Sequence, residues 1–192
     1  TTLEARKGIE ILTNSHLKNI WKWSLVNIGK IISDEGDIVF QGNVFQGDES
    51  EVRTAKSLKI KGHIHHLKGE FVEGQEGLEI EANGPREIIT FEPYCLRTLG
   101  LLRLVFKTGG DFLCPLEVKG GIEIEVLPHK TPQDLFFCAD LIAGQGLRLK
   151  VPGHNISIGT TFRPLIKIQS GGSFESIGAK KFSLVHGTVF SN

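Results

Sequence analysis

The chain has 192 residues, 40% of them apolar and 23% charged, with 23 glycines and equal numbers of basic and acidic side chains, 22 of each. This length and mix predict one folded domain over residues 1–192 rather than a disordered segment. A net charge of zero argues against nucleic acid as the main partner, since phosphate binding needs a basic surplus. No stretch reaches the roughly 18 apolar residues of a membrane-crossing helix, so no membrane insertion is expected, and no signal peptide is visible. The chain opens Thr1-Thr2 and contains no Met, which reads as a piece of a longer protein.

Residues 1–12 carry a first strand, Gly8-Ile9-Glu10-Ile11. In residues 13–33, Leu17, Ile20, Trp21, Leu25, Ile28 and Ile32 fall at helical spacing behind Ser15, while Trp21, Trp23 and Leu25 alternate as a strand does. The β-rich flanks favour strand and loop; a helix here would cap the end of the fold. Gly36-Asp37-Ile38-Val39-Phe40 then repeats the first motif, and Ser57-Leu58-Lys59-Ile60, Gly77-Leu78-Glu79-Ile80, Leu101-Leu102-Arg103-Leu104, Gly121-Ile122-Glu123-Ile124 and Gly146-Leu147-Arg148-Leu149 follow. Leu165-Ile166-Lys167-Ile168 and Lys181-Phe182-Ser183-Leu184 complete the set.

The gaps between the first apolar positions are 29, 20, 20, 24, 20, 25, 19 and 16 residues. A recurring period of this size signals a solenoid, and strict apolar–charged alternation makes each unit a strand. The fold class that follows is all-β: a right-handed parallel β-helix, a solenoid of about eight coils with about 20–25 residues per coil, the hand taken from the general preference of parallel crossovers. At one strand spacing per coil the rod would be roughly 40 Å long.

Between the repeats lie the candidate functional residues. Residues 41–56, with Asp48, Glu49, Glu51, Arg53 and Lys56, read as a solvated turn. In Lys61-Gly62-His63-Ile64-His65-His66, alternation puts His63 and His65 on one face. They are a candidate metal pair or ligand-binding polar face, or both point to solvent with Ile64 inward. Gly84-Pro85-Arg86 and Glu92-Pro93-Tyr94 mark turns. Phe91, Phe112 and Phe136, 21 and 24 apart, predict a core stack, and Cys95, Cys114 and Cys138, 19 and 24 apart, a column of buried thiols. A disulfide or metal site is the alternative for the thiols, against which stand their odd number and wide spacing. Leu127-Pro128-His129-Lys130-Thr131-Pro132-Gln133-Asp134 is the longest polar excursion, with His129, Lys130, Gln133 and Asp134 as candidate ligand-binding residues. The same stretch serves equally as an inert loop. No catalytic, cofactor-binding or metal-binding constellation is expected, because phosphate-loop, dinucleotide, metalloprotease and serine-elbow patterns are all missing.

Two family resemblances rest on short motifs. Asn27-Ile28-Gly29-Lys30-Ile31 through Gly36-Asp37-Ile38-Val39-Phe40 resembles the repeats of the filamentous haemagglutinins, secreted exoproteins of the two-partner pathway. The match covers one full unit, and later Gly-led strands echo its second half. The resemblance implies an adhesin-like segment of a large secreted or cell-surface bacterial protein involved in virulence. It would bind a host or neighbouring-cell protein or glycan through loops or a strand face, and would adjoin other β-helix segments of its parent chain. The Asn-Pro-Asn motifs of that family's secretion domain are absent. Gly153-His154-Asn155-Ile156-Ser157-Ile158-Gly159 resembles a stretch of the polygalacturonases, which implies a carbohydrate-active β-helix enzyme. Here, though, Asn155 replaces a Gly and the family's acidic motifs are missing, so His154 reads as a turn residue and Ile156 and Ile158 as core. The third reading is a self-associating scaffold whose open ends stack.

Overall fold

A computed structural model describes residues 2–12, 23, 25–69, 71–90, 95–131, 133–158, 165–169, 171–184 and 189–191. The chain winds as a three-sided parallel β-solenoid, and each turn contributes one short strand to each side. Face 2 is a single parallel sheet of eight strands: Ile9–Leu12, Ile38–Gln41, Ser57–Lys61, Gly77–Ala82, Leu101–Phe106, Gly121–Val126, Gly146–Lys150 and Ser173–Ile177. Face 1 has five strands, Thr2–Ala5, Lys30–Ser33, Glu51–Thr54, Phe71–Gly74 and Leu96–Arg97, followed by four more, Leu116–Val118, Leu141–Ala143, Leu165–Ile168 and Val189–Ser191. Face 3 has Leu25–Asn27, Val44–Gln46, His65–Leu67 and Ile88–Thr90, then Gly110–Phe112, Leu135–Phe137, Asn155–Ile158 and Lys181–Leu184. From Lys30 to Ile158 the eighteen strands make six three-sided turns. That is slightly fewer than the expected eight; the first and last turns run through residues outside the description.

The alternation seen in sequence is the register of face 2. Ile38, Leu58, Leu78, Leu102, Ile122 and Leu147 stack in one inward column, and Phe40, Ile60, Ile80, Leu104, Ile124 and Leu149 in the next. All twelve are at most 2% exposed, each contributing about 1.5–3 kcal/mol by burial. The sequence assignment changes at the end of the chain. Leu147 pairs with Phe174, while Leu165–Ile168 belongs to face 1 and Lys181–Leu184 to face 3. Their alternation is genuine, but on other sides of the tube.

Outward on face 2, Lys59, Glu79, Arg103, Glu123, Arg148 and Glu175 form one column of alternating sign. Arg103 is its hub: Nη1 donates to Glu79 at 2.9 Å, Nε to Glu123 at 3.2 Å and Nη2 to Glu125 at 2.5 Å. Lys150 donates to Glu123 at 2.9 Å. Burial works against the Glu123 carboxylate, but the Lys150 ammonium and the Arg103 guanidinium outweigh it and hold its pKa below the ordinary value. Arg103→Ala is expected to cost about 1 kcal/mol, the scale of a half-exposed ion network. Arg103→Glu costs more, because it sets carboxylates on adjacent rungs, and 1 M salt narrows the difference between the two variants. Urea unfolding at low and high salt checks this.

Faces 1 and 3 are interrupted where face 2 is not. Among the described residues, no ladder joins Leu96–Arg97 to Leu116–Val118, although they touch, and none joins Ile88–Thr90 to Gly110–Phe112. Pro115 has no N–H to give to the first junction. At the second, Gly110 turns in with φ +141° and the 3₁₀ turn Pro85–Glu87 lies against the Gly110–Phe112 strand.

Several expectations are corrected. Residues 41–56 are not one solvated turn: they hold Val44–Gln46 and Glu51–Thr54, and Glu51 is 4% exposed, bound to Lys30 at 2.9 Å and Arg53 at 3.2 Å. The phenylalanines that stack in this part of the core are Phe106, Phe112 and Phe137, with ring centroids 6.3 and 5.7 Å apart; Phe136 faces outward beside Asp111. The thiols do not form one column. Cys95 and Cys114 are buried, but Cys138 follows Phe137 and so falls opposite Leu113, half-exposed; none is in a disulfide. In the 13–33 stretch, Leu25–Asn27 and Lys30–Ser33 are strands as favoured. Residues 13–22 and 24, Phe91 and the Glu92-Pro93-Tyr94 turn lie outside the described residues.

Candidate functional site

The break in face 3 opens a cleft of about 510 Å³. Its walls come from three consecutive passes of the chain: Arg86 and Glu87 in the 3₁₀ turn, Thr108–Asp111 entering the next strand, and Gln133, Asp134 and Phe136 one rung on. Arg86 and Asp111 form an ion pair across the break. The Asp111 carboxylate raises the pKa of the Arg86 guanidinium by hydrogen bond and charge.

The Gln133–Asp134 wall is pinned from beneath. His154, 1% exposed, places Nδ1 2.6 Å from the Gln133 carbonyl. The Asp134 Oδ1 accepts from the Asn155 amide at 3.3 Å, and its carbonyl accepts from the Gly110 amide at 2.9 Å. The His154 that resembled a polygalacturonase histidine therefore holds a loop from inside the wall, and Ile156 and Ile158 are fully buried as expected.

Of the four loop residues singled out in sequence, the fold brings Gln133 and Asp134 to the cleft. His129 and Lys130 stand exposed on the preceding bend, where the His129 Nδ1 accepts from the Thr131 amide at 3.2 Å. Arg86, Glu87, Asp111 and Phe136 were not read as site residues. The only signal for them is register, because Asp111 pairs with Phe136 across 25 residues of chain.

His63 and His65 do not share a face. The strand ends at Lys61 and a new one starts at His65; between them the Asn43 Oδ1 accepts from the His63 and Ile64 amides at 3.0 and 3.2 Å and turns the chain. His63 stays exposed, with Nδ1 2.9 Å from the Asn83 Oδ1, and Ile64 is half-buried. His65 is fully buried, with Nε2 2.8 Å from the Glu81 carbonyl. Burial pushes its pKa down to about 4, with a small further push from His63, against the raising effect of the Glu81 bond. Among the described residues, no three His, Cys, Asp or Glu side chains gather as a metal centre.

Three carboxylates, Glu87, Asp111 and Asp134, border the cleft. Glycoside cleavage needs two of them placed as acid and base across one bond. Asp111 is already engaged by Arg86, and Asp134 by the Asn155 amide. No protein-family profile, curated protein or solved structure matches this chain.

Proposed function

We propose that this chain is a structural and adhesive β-solenoid segment, similar to the filamentous haemagglutinin repeats, in a large secreted or surface-exposed bacterial protein. It binds surface protein or glycan of a host or neighbouring cell. One observation carries the reading: face 2 runs unbroken over eight strands with its outer charges paired from rung to rung, while the breaks and the long loop lie on or beside the other two faces. That division gives a stiff shaft with irregular display surfaces. The haemagglutinin-like Asn27-Ile28-Gly29 also has a physical role consistent with a corner motif. Asn27 is buried, its Oδ1 accepts from the Gly29 amide at 3.0 Å, and its Nδ2 donates to the Glu51 carbonyl at 3.3 Å.

The expected result is saturable attachment of the purified chain to bacterial or epithelial cells. Incubation with polysaccharides should leave chain length unchanged. Absence of attachment rejects the reading, and shortened polysaccharide replaces it with the carbohydrate-active enzyme. A second reading, end-to-end association of solenoids, is favoured by the outermost described rung. There Phe174 aligns with buried Leu147 yet is 36% exposed, beside Phe182 at 37%. Growth in particle size with concentration distinguishes it from a monomeric shaft.

A further inference from the structure

We propose that the face 3 cleft and the outward column leading from it bind a neutral oligosaccharide laid along the solenoid axis. The inference rests on the reading of this chain as a display surface and names the ligand that surface takes.

Shape comes first. Asp111, Phe136 and Ser157 occupy the same outward position on three successive rungs. Rungs are about 4.8 Å apart, a distance close to the length of one pyranose unit, so each rung meets one sugar. The cleft beside them lies within the roughly 300–1,000 Å³ of small-molecule sites.

Chemistry comes second. Phe136 differs from its buried neighbour Phe137 in keeping a partly open ring on the outer surface. An apolar ring face in a polar setting suits the C–H face of a pyranose, whose hydroxyls point sideways. Sideways of Phe136 stand Arg86, Glu87, Asp111 and Gln133, planar groups that between them donate and accept hydrogen bonds. The Arg86–Asp111 pair and the His154-anchored Gln133 backbone hold part of this set in place before any ligand arrives, which lowers the ordering cost of binding.

Charge decides between kinds of sugar. Among the described residues the cleft carries one cation, Arg86, against three carboxylates, Glu87, Asp111 and Asp134. Uronate, sialylated or sulfated chains bring further negative charge and are repelled; the same field rejects phosphate ligands. Neutral hexose chains meet no such barrier.

The test titrates the whole chain with neutral gluco-, manno- and galacto-oligosaccharides and with oligogalacturonate of equal length, followed by calorimetry and saturation-transfer NMR. The expected result is binding of at least one neutral series, with saturation transfer to the Phe136 ring, loss of at least about tenfold in affinity in Phe136→Ala, retention in Phe136→Trp, and no binding of oligogalacturonate. Circular dichroism confirms that the variants remain folded. Unchanged affinity in Phe136→Ala, equal binding of oligogalacturonate, or no neutral series bound overturns the site. Cell attachment that persists undiminished in Phe136→Ala overturns the sugar site while leaving the adhesive reading standing.

Discussion

Gly120→Ala is expected to destabilise the chain by about 3 kcal/mol or more, enough to lower the urea midpoint by more than about 1 M. Gly36, Gly100, Gly120 and Gly144 sit at the corners where the chain passes from face 1 into face 2, and each backbone lies directly on the turn before it. A Cβ on Gly120 lands inside the contact radius of the Gly100 carbonyl oxygen, and one on Gly100 inside that of Glu76. None of the four has a left-handed φ, so the demand is for space. The obstacle is main chain, which cannot swing aside as a side chain does, and relieving it means parting two rungs. Gly77→Ala is the control, since its Cβ meets nothing nearer than the Leu101 carbonyl at 3.7 Å. That variant should stay within about 0.5 kcal/mol of the parent. Equal stability of the two variants would show that the corners are looser than described.

The second large effect is a loss of stability in acid centred on His65. Its ring is fully buried, with Nε2 toward the Glu81 carbonyl and Nδ1 without a hydrogen-bond partner among the described residues. Nε2 therefore carries the proton and Nδ1 stays bare. Protonating Nδ1 would bury a charge and leave an N–H unsatisfied. Unfolded, the ring takes its proton near pH 6.5; folded, only near pH 4. Its contribution is full above pH 6.5 and is lost as pH falls toward 4, about 3 kcal/mol in all. The Glu123 carboxylate, whose pKa is lowered, loses its contribution only below about pH 4.5. His65→Leu should cost stability at pH 7, because the Glu81 carbonyl loses its donor, and should flatten the slope between pH 6.5 and 4. Chemical denaturation across that range, parent against variant, reads the difference directly; parallel slopes would exclude His65 as the titrating group.

Face 2 was legible in sequence because its strands are four to six residues long, enough to show two or three apolar–charged alternations. Much of faces 1 and 3 was not, because strands such as Val44–Gln46, His65–Leu67 and Leu116–Val118 have three residues each. Three residues carry no period. Parity is the second obstacle. The Asn43-capped turn after Lys61 resets which side of the chain faces inward, so His65 points into the core although it stands two residues from exposed His63. The same one-residue ambiguity exchanges Phe136 with Phe137, and with it the difference between packing and a ligand platform. The polar excursion of residues 127–134 was visible as such, and its last two residues do reach the cleft. Arg86, Glu87 and Asp111 were not visible, because only the register across the break brings a turn at residue 86 beside a strand at residue 111.

That break bears on how the molecule takes mechanical load. Over most of its length a pull along the axis is shared by three hydrogen-bonded cords, but at the splice in faces 1 and 3 it falls largely on one. Arg86 and Asp111 lie on opposite banks of the splice, tied by a single ion pair. Were the chain stretched along its axis, its rungs would part first at the splice, and the cleft beside Arg86 and Asp111 would widen before the continuous cord gave way.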